Sequence, residues 1–310
     1  MNLEDMRNEE LGYIIWEIEN KPATRIACPH TVYVKSGYRD IIEMLKRIEN
    51  PKNMFYIHND VSYMGMSTLW FLSIESFINS LLKLFCLMKK DNFDKYKAWN
   101  LHKRIFKVFD LAELDSLSFK KSRALPELQE FQEFRSVIFH DTYNNKAINF
   151  KKTNFSKKPV FCNIVDVIQG MKIALEVFDS FRYILPGWDI MPNVPIHDYK
   201  KDTVYHEKLD EVWNKVFKSY VFKVLEKHNL ETTLDFDYTI VNMKPAKISA
   251  SEKIVIGIQA KPTSKNKIEI NKDTSDYLVD EIENLTKNVI IKEGYFGIDD
   301  YTIRQGTNNI

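Results

Sequence analysis

Two side chains between Glu127 and His140 are of the types that phosphate chemistry uses. Arg135 carries a permanent, planar cation that can hold a phosphate, and His140 titrates near neutral pH and can move a proton. The segment has helical spacing. Phe131, Phe134 and Ile138 fall on one face at i, i+3 and i+7. Gln132, Ser136 and His140 fall on another at i, i+4 and i+8, with Arg135 on its border. One helix therefore offers an anion holder and a proton carrier beside a buried surface. An Arg, four residues and a His is a short pattern that recurs by chance, and its plain reading is a surface Arg and a packed His. Its context decides between the two.

The element that must position this helix is the apolar run at residues 61 to 88, long enough to raise the question of a membrane span. Glu75, Asn79 and Lys83 recur every fourth residue within it and form one polar stripe. That stripe argues for the central helix of a soluble bundle, not a span. An ionised Glu in such surroundings is costly without a partner, so the stripe must meet solvent, a partner or an internal polar network.

These two pieces together, Ile74-Glu75-Ser76-Phe77-Ile78-Asn79-Ser80-Leu81-Leu82 and Phe134-Arg135-Ser136-Val137-Ile138-Phe139-His140, resemble the HEPN superfamily of small all-α domains. The resemblance spans roughly residues 56 to 186. Many HEPN proteins are metal-independent ribonucleases of toxin–antitoxin, abortive-infection and antiviral systems, and others only bind. In active members the Arg and His of two copies meet across a dimer interface. The resemblance implies Arg135 and His140 as the catalytic pair, with Glu75 orienting Arg135 and Asn79 on the same stripe. It implies RNA as substrate, a homodimer, no metal or other cofactor, and an antitoxin or trigger-sensing partner. Cleavage would proceed by attack of the ribose 2′-hydroxyl. Ser136 stands where active members commonly carry Asn, Asp or His. It can still hydrogen bond, but it leans toward the alternative, a non-catalytic module that binds nucleotide or protein.

At 310 residues the chain can bury a large core and make two domains. Its 44% apolar and 13% aromatic content is globular, and a net charge of +1 gives no global nucleic-acid signal, so an RNA contact must be a local patch. Cys28, Cys86 and Cys162 are too few and too widely spaced for a disulfide framework or a zinc site, which suits a reducing cytoplasm. The acidic first ten residues lack the apolar stretch of a secretory signal.

The pattern along the chain predicts an α+β protein, a helical bundle followed by a small α/β region. Residues 1–55 read as an N-terminal helical arm, with helices at 4 to 19 and 40 to 48. Residues 56–188 read as the bundle, with helices at 61–90, 93–110, 126–143 and 161–185. Residues 189–228 form a turn-rich linker and a helix at 203–227. Residues 229–310 alternate with period two at 233–241 and 253–260, with a third strand at 267–270, a helix at 275–286 and one or two strands in 289–304. That last region carries no phosphate loop or hydrolase motif.

The loop from Asn144 to Pro159 contributes Lys146, Lys151, Lys152, Lys157 and Lys158 just after His140, and is the best candidate to clamp an RNA backbone. Its plain reading is a solvated, mobile loop. Asp141 follows His140 and would tune it, although neighbouring side chains diverge on a helix. Tyr143 is placed to stack a base, or simply to pack. His102, with Lys95, Lys97 and Lys107, offers a second basic surface or an ordinary solvated face. His197-Asp198 and His206-Glu207 match no metal-site spacing.

Overall fold

The computed structural model describes residues 9–18, 24–49, 62–140, 150–158, 161–186, 188–198, 203–228, 245–249, 252–260 and 289–292. The protein is α+β, as its pattern predicts. The helices are α1 (His30–Glu49), α2 (Ser62–Met88), α3 (Leu101–Leu111), α4 (Leu117–Lys121), α5 (Ala124–His140), α6 (Ile164–Ser180), α7 (Leu209–Val212) and α8 (Lys218–Lys227). A π-helical turn, Trp213–Phe217, joins the last two.

The apolar run is the central helix. α2 packs against α1, α3, α5 and α6, and buries Trp70, Phe71, Ile74, Phe77, Ile78, Leu81 and Phe85. It is long and apolar enough to cross a membrane by length and composition, and 67% of that stretch is buried inside the protein. α1 reaches it through Val34, Tyr38, Ile41, Leu45 and Ile48, spaced alternately by four and three residues. Gly37 allows the approach, since a Cβ there would sit 2.9 Å from the Trp70 ring. Gly170 does the same for α6 and α5, where a Cβ would sit 2.8 Å from Phe131.

Within the stretch expected to be a helix at 4 to 19, the described residues form a strand instead. Glu9–Ile18 is a strand, β1, and Thr24–Cys28 is β2. The apolar residues Ile14, Ile15 and Ile18 satisfy a helical period, but Ile14, Trp16 and Ile18 also satisfy period two. The β-branched and aromatic content at 13 to 16 and the offer of strand partners settle it. β1 pairs antiparallel with β2 and with β5 (Glu252–Ala260), and β5 pairs parallel with β6 (Val289–Lys292). The order is β2-β1-β5-β6, so the N-terminal segment and the C-terminal region share one sheet. Ile14 lies opposite both Ile26 and Ile256. Ile14, Trp16, Ile26, Cys28 and Ile254 join the core beneath.

Helix α1 starts earlier than residue 40, because Pro29 gives its carbonyl to Val32 and Tyr33 and opens the first turn. The linker region also departs from expectation. β3 (Asn193–Asp198) and β4 (Thr203–Lys208) form an antiparallel hairpin, so the predicted 203–227 helix begins only at Leu209. Val204, Tyr205 and the paired Ile196 are strand formers whose backbone bonds a hairpin satisfies. Strand 253–260 is confirmed as β5. The segments expected at 233–241, 267–270 and 275–286 lie outside the described residues.

Candidate functional site

Arg135 sits at the seam between α5 and α2. Its guanidinium carbon lies 5.5 Å from the centroid of Phe71, a cation–π arrangement that holds the charge at the edge of the core. Arg135 and Ser136 are half-buried, while Phe131, Phe134 and Val137 are buried, so α5 turns its apolar stripe inward as its spacing predicts. His140 is the last residue of α5. Its side chain, and all of Asp141, Tyr143 and Lys146, lie outside the described residues.

Glu75 does not orient Arg135. Its carboxylate accepts from Nη2 of Arg104 on α3, and Asn79 Oδ1 accepts from Arg104 Nη1 at 2.5 Å. Arg104 is only 5% exposed and needs both acceptors. The polar stripe of α2 is therefore an internal network that locks α3 onto the central helix. The rule that a buried carboxylate has a partner holds. The partner comes from a residue that the run of basic residues near 100 disguises as one more solvated charge. Lys95, Lys97 and Lys107 in that run pair with Asp91, Asp94 and Asp110, so this surface is locally neutralised. His102 is half-buried among them. Lys83, the last member of the stripe, projects over the Phe93 ring at 5.1 Å, beside a cleft of about 460 Å³ that Ile26 and Leu87 also line.

The loop after α5 is anchored at residues 150–158. Glu130 accepts from the backbone N–H groups of Lys151, Lys152 and Thr153 at 2.7 to 3.0 Å and from Thr153 Oγ1 at 2.8 Å. Phe155 stacks on Phe134, with centroids 4.4 Å apart and planes within 10°, and on Phe131 at 5.1 Å. Lys151 and Lys152 are consequently exposed on a backbone tied to the helix that carries Arg135. Neither Glu130 nor Phe155 stands out in the sequence. Only the return of the loop onto α5, a tertiary event, gives them their part.

A second set of charges lies inside the bundle. Lys172 on α6 is 3.7 Å from both Glu127 of α5 and Glu176 of its own helix, and these three are 1 to 3% exposed. Arg123 Nε and Nη2 donate to Glu127 Oε1 at 3.0 and 2.9 Å. Burial, reinforced by the neighbouring Glu127 carboxylate, pushes the Glu176 carboxyl up to about 8. Burial thus favours the protonated form of Glu176 at neutral pH, beside Lys172 and the Arg123–Glu127 pair. The three cysteines are free and buried; burial pushes the Cys28 thiol up to about 12 and the Cys86 thiol up to about 11, which leaves them unreactive.

Among the described residues, no three His, Cys, Asp or Glu side chains converge as a metal site would require. What the surface can do is hold an anion. Arg135 at the α2–α5 seam, and Lys151 and Lys152 on the pinned loop, present cations from one helix and the segment tied to it. Compared with protein-family models, curated proteins and solved structures, the chain matches none.

Proposed function

We propose that this protein is a HEPN-type, metal-independent endoribonuclease acting as a homodimer, in a toxin or antiviral role. The observation that supports the reading best is Arg135, half-buried at the α2–α5 seam with its guanidinium over the Phe71 ring, on the helix that ends at His140. The loop that Glu130 pins to the same helix exposes Lys151 and Lys152, cations that an RNA backbone can use. Arg135 holds the scissile phosphate and stabilises the charge that builds up on it. His140 takes the proton from the 2′-hydroxyl, or gives one to the leaving 5′-oxygen. The 2′-oxygen forms a bond to phosphorus as the bond to the 5′-oxygen breaks, leaving a 2′,3′-cyclic phosphate.

Five residues on a helix set Arg135 and His140 about 140° apart around the axis. One helix alone does not aim both at one phosphate, whereas two copies of α5 across a two-fold axis supply both groups to one cleft. α5 is better suited to that contact than α2, which is enclosed by four helices.

The commitment of Glu75 and Asn79 to Arg104 favours a second reading, in which the same cations bind RNA without cutting it. Cleavage of total RNA in EDTA by wild type, Arg135→Ala and His140→Ala decides between them. The nuclease reading expects cutting that persists in EDTA and disappears in both variants, and a growth defect on expression that His140→Ala relieves. RNA binding without cutting by any form supports the binding module instead.

A further inference from the structure

Phe161 is the most exposed large apolar side chain among the described residues, at 58%. A lone exposed aromatic on a surface needs no explanation in itself. This one differs in how firmly its backbone is held and in what surrounds it. Its carbonyl accepts from Ser156 Oγ at 2.9 Å and from Asn163 Nδ2 at 3.3 Å. Ser156 and Asn163 are both tied to the Asp166 carboxylate, which accepts from Ser156 N at 2.6 Å, Ser156 Oγ at 2.7 Å and Asn163 N at 2.8 Å. Asn163 in turn caps α6 by accepting from Val165 N at 2.8 Å. The ring is therefore presented to water from a fixed base. Asp166 is itself buried and fully engaged, so it does not repel an approaching anion.

The surroundings are basic. Lys158 Nζ lies 6.0 Å from the ring centroid, and Lys157, Lys152 and Lys151 are exposed along the same pinned loop. Cys162, the residue after Phe161, is buried against the central helix, with its sulfur 3.9 Å from Ser67 Oγ on α2, which fixes the segment further. A fixed aromatic face flanked by lysines is the arrangement that single-stranded nucleic acid binds, by stacking bases on rings and laying phosphates along cations.

We infer that Phe161 is a stacking platform for an unpaired base, and that the ligand of this surface is single-stranded RNA, with Lys157 and Lys158 on the adjoining phosphates. The choice of RNA rests on the ribonuclease reading; the stacking itself does not. Duplex RNA keeps its bases inside the helix and cannot use the ring.

The test is binding, by fluorescence anisotropy, of a labelled mixed-sequence 2′-O-methyl RNA 12-mer, alone and annealed to its complement. The 2′-O-methyl group blocks cleavage, so binding is read whether or not the protein is a nuclease. Phe161→Ala is expected to weaken single-strand binding by about 5- to 100-fold, the loss of one stacked base. Its dependence on salt should stay unchanged, because no phosphate contact is removed. Phe161→Trp is expected to restore binding, and to lose indole fluorescence when the strand is added. Lys157→Glu with Lys158→Glu should instead weaken binding and flatten its salt dependence. Phe161→Ala binding as well as wild type, a duplex bound as tightly as the single strand, or no binding by wild type would each overturn the inference. Phe161-dependent binding without any cleavage would leave the platform standing and remove the nuclease. Cleavage dependent on Arg135 and His140, with Phe161→Ala binding normally, would do the reverse.

Discussion

Replacing Glu176 with Gln tests the account of the buried charges. The carboxyl is 1% exposed, with Lys172 3.7 Å away and Glu127 close by. In the unfolded chain Glu176 ionises near its ordinary value of 4.5, and in the folded protein only near 8. Between those values the folded state holds a proton that the unfolded state has released. Stability from this group is therefore highest below about 4.5 and declines as pH rises toward 8. One proton is worth about 1.4 kcal/mol per pH unit, so from pH 5.5 to 7.5 Glu176 alone should cost wild type roughly 2 to 3 kcal/mol. Gln keeps the shape and the neutral charge but cannot ionise. Urea unfolding followed by circular dichroism at pH 5.5, 6.5 and 7.5 gives both curves. The difference, Glu176→Gln minus wild type, should rise across the range by that amount, and other titrating groups cancel in it. A difference that stays flat within 0.5 kcal/mol, about the usual error of such extrapolations, would refute a protonated Glu176. The buried cluster would then be fully ionised.

His30 titrates with the opposite sign. Burial lowers its imidazole to about 3, and its ring meets the Phe77 ring edge to face at 5.2 Å. Its contribution is fully present above about 6.5 and is lost as pH falls toward 3, so His30→Phe should reduce acid destabilisation in urea melts between pH 6 and 4. Gly170→Ala would place a Cβ 2.8 Å from Phe131, which stacks on Phe155. It should cost about 1 to 3 kcal/mol and speed proteolytic nicking within 150–158. Arg104→Met leaves Glu75 without its cation and should cost about 2 to 4 kcal/mol by thermal melt; Glu75→Gln should lower stability while leaving any RNA cleavage by the folded fraction intact. Loss of cleavage at unchanged stability would return Glu75 to Arg135.

The helical body could be read from periodicity because each of its helices has an apolar face that a single period describes. α2, with apolar residues nearly all round and a polar stripe at every fourth position, is the clearest instance, and its burial follows directly. β1 could not be read so. Its apolar residues fit two periods, and the choice falls to β5, a strand far away in the chain. The Arg135 side of the site is visible as a residue type on a helix. The link from Glu75 to Arg135 rests on the family resemblance alone, and Arg104 takes that place, because a buried carboxylate takes the cation that packing brings nearest. Phe161 and Glu130 carry no sequence signal, since their meaning lies in where a loop lands.

The pairing of β1 with β5 sets the order in which the chain can be finished as it is made. Ile18 waits for Glu252, more than two hundred residues later, and all the helices among the described residues lie between them. At about 5 to 20 residues per second that interval is roughly 10 to 50 s of synthesis. Throughout it the bundle is still being completed and β1 has one edge unclaimed, a template on which another strand can pair. A chain that stops before residue 252 keeps that edge for good and should be recovered in aggregates, however well its helices form.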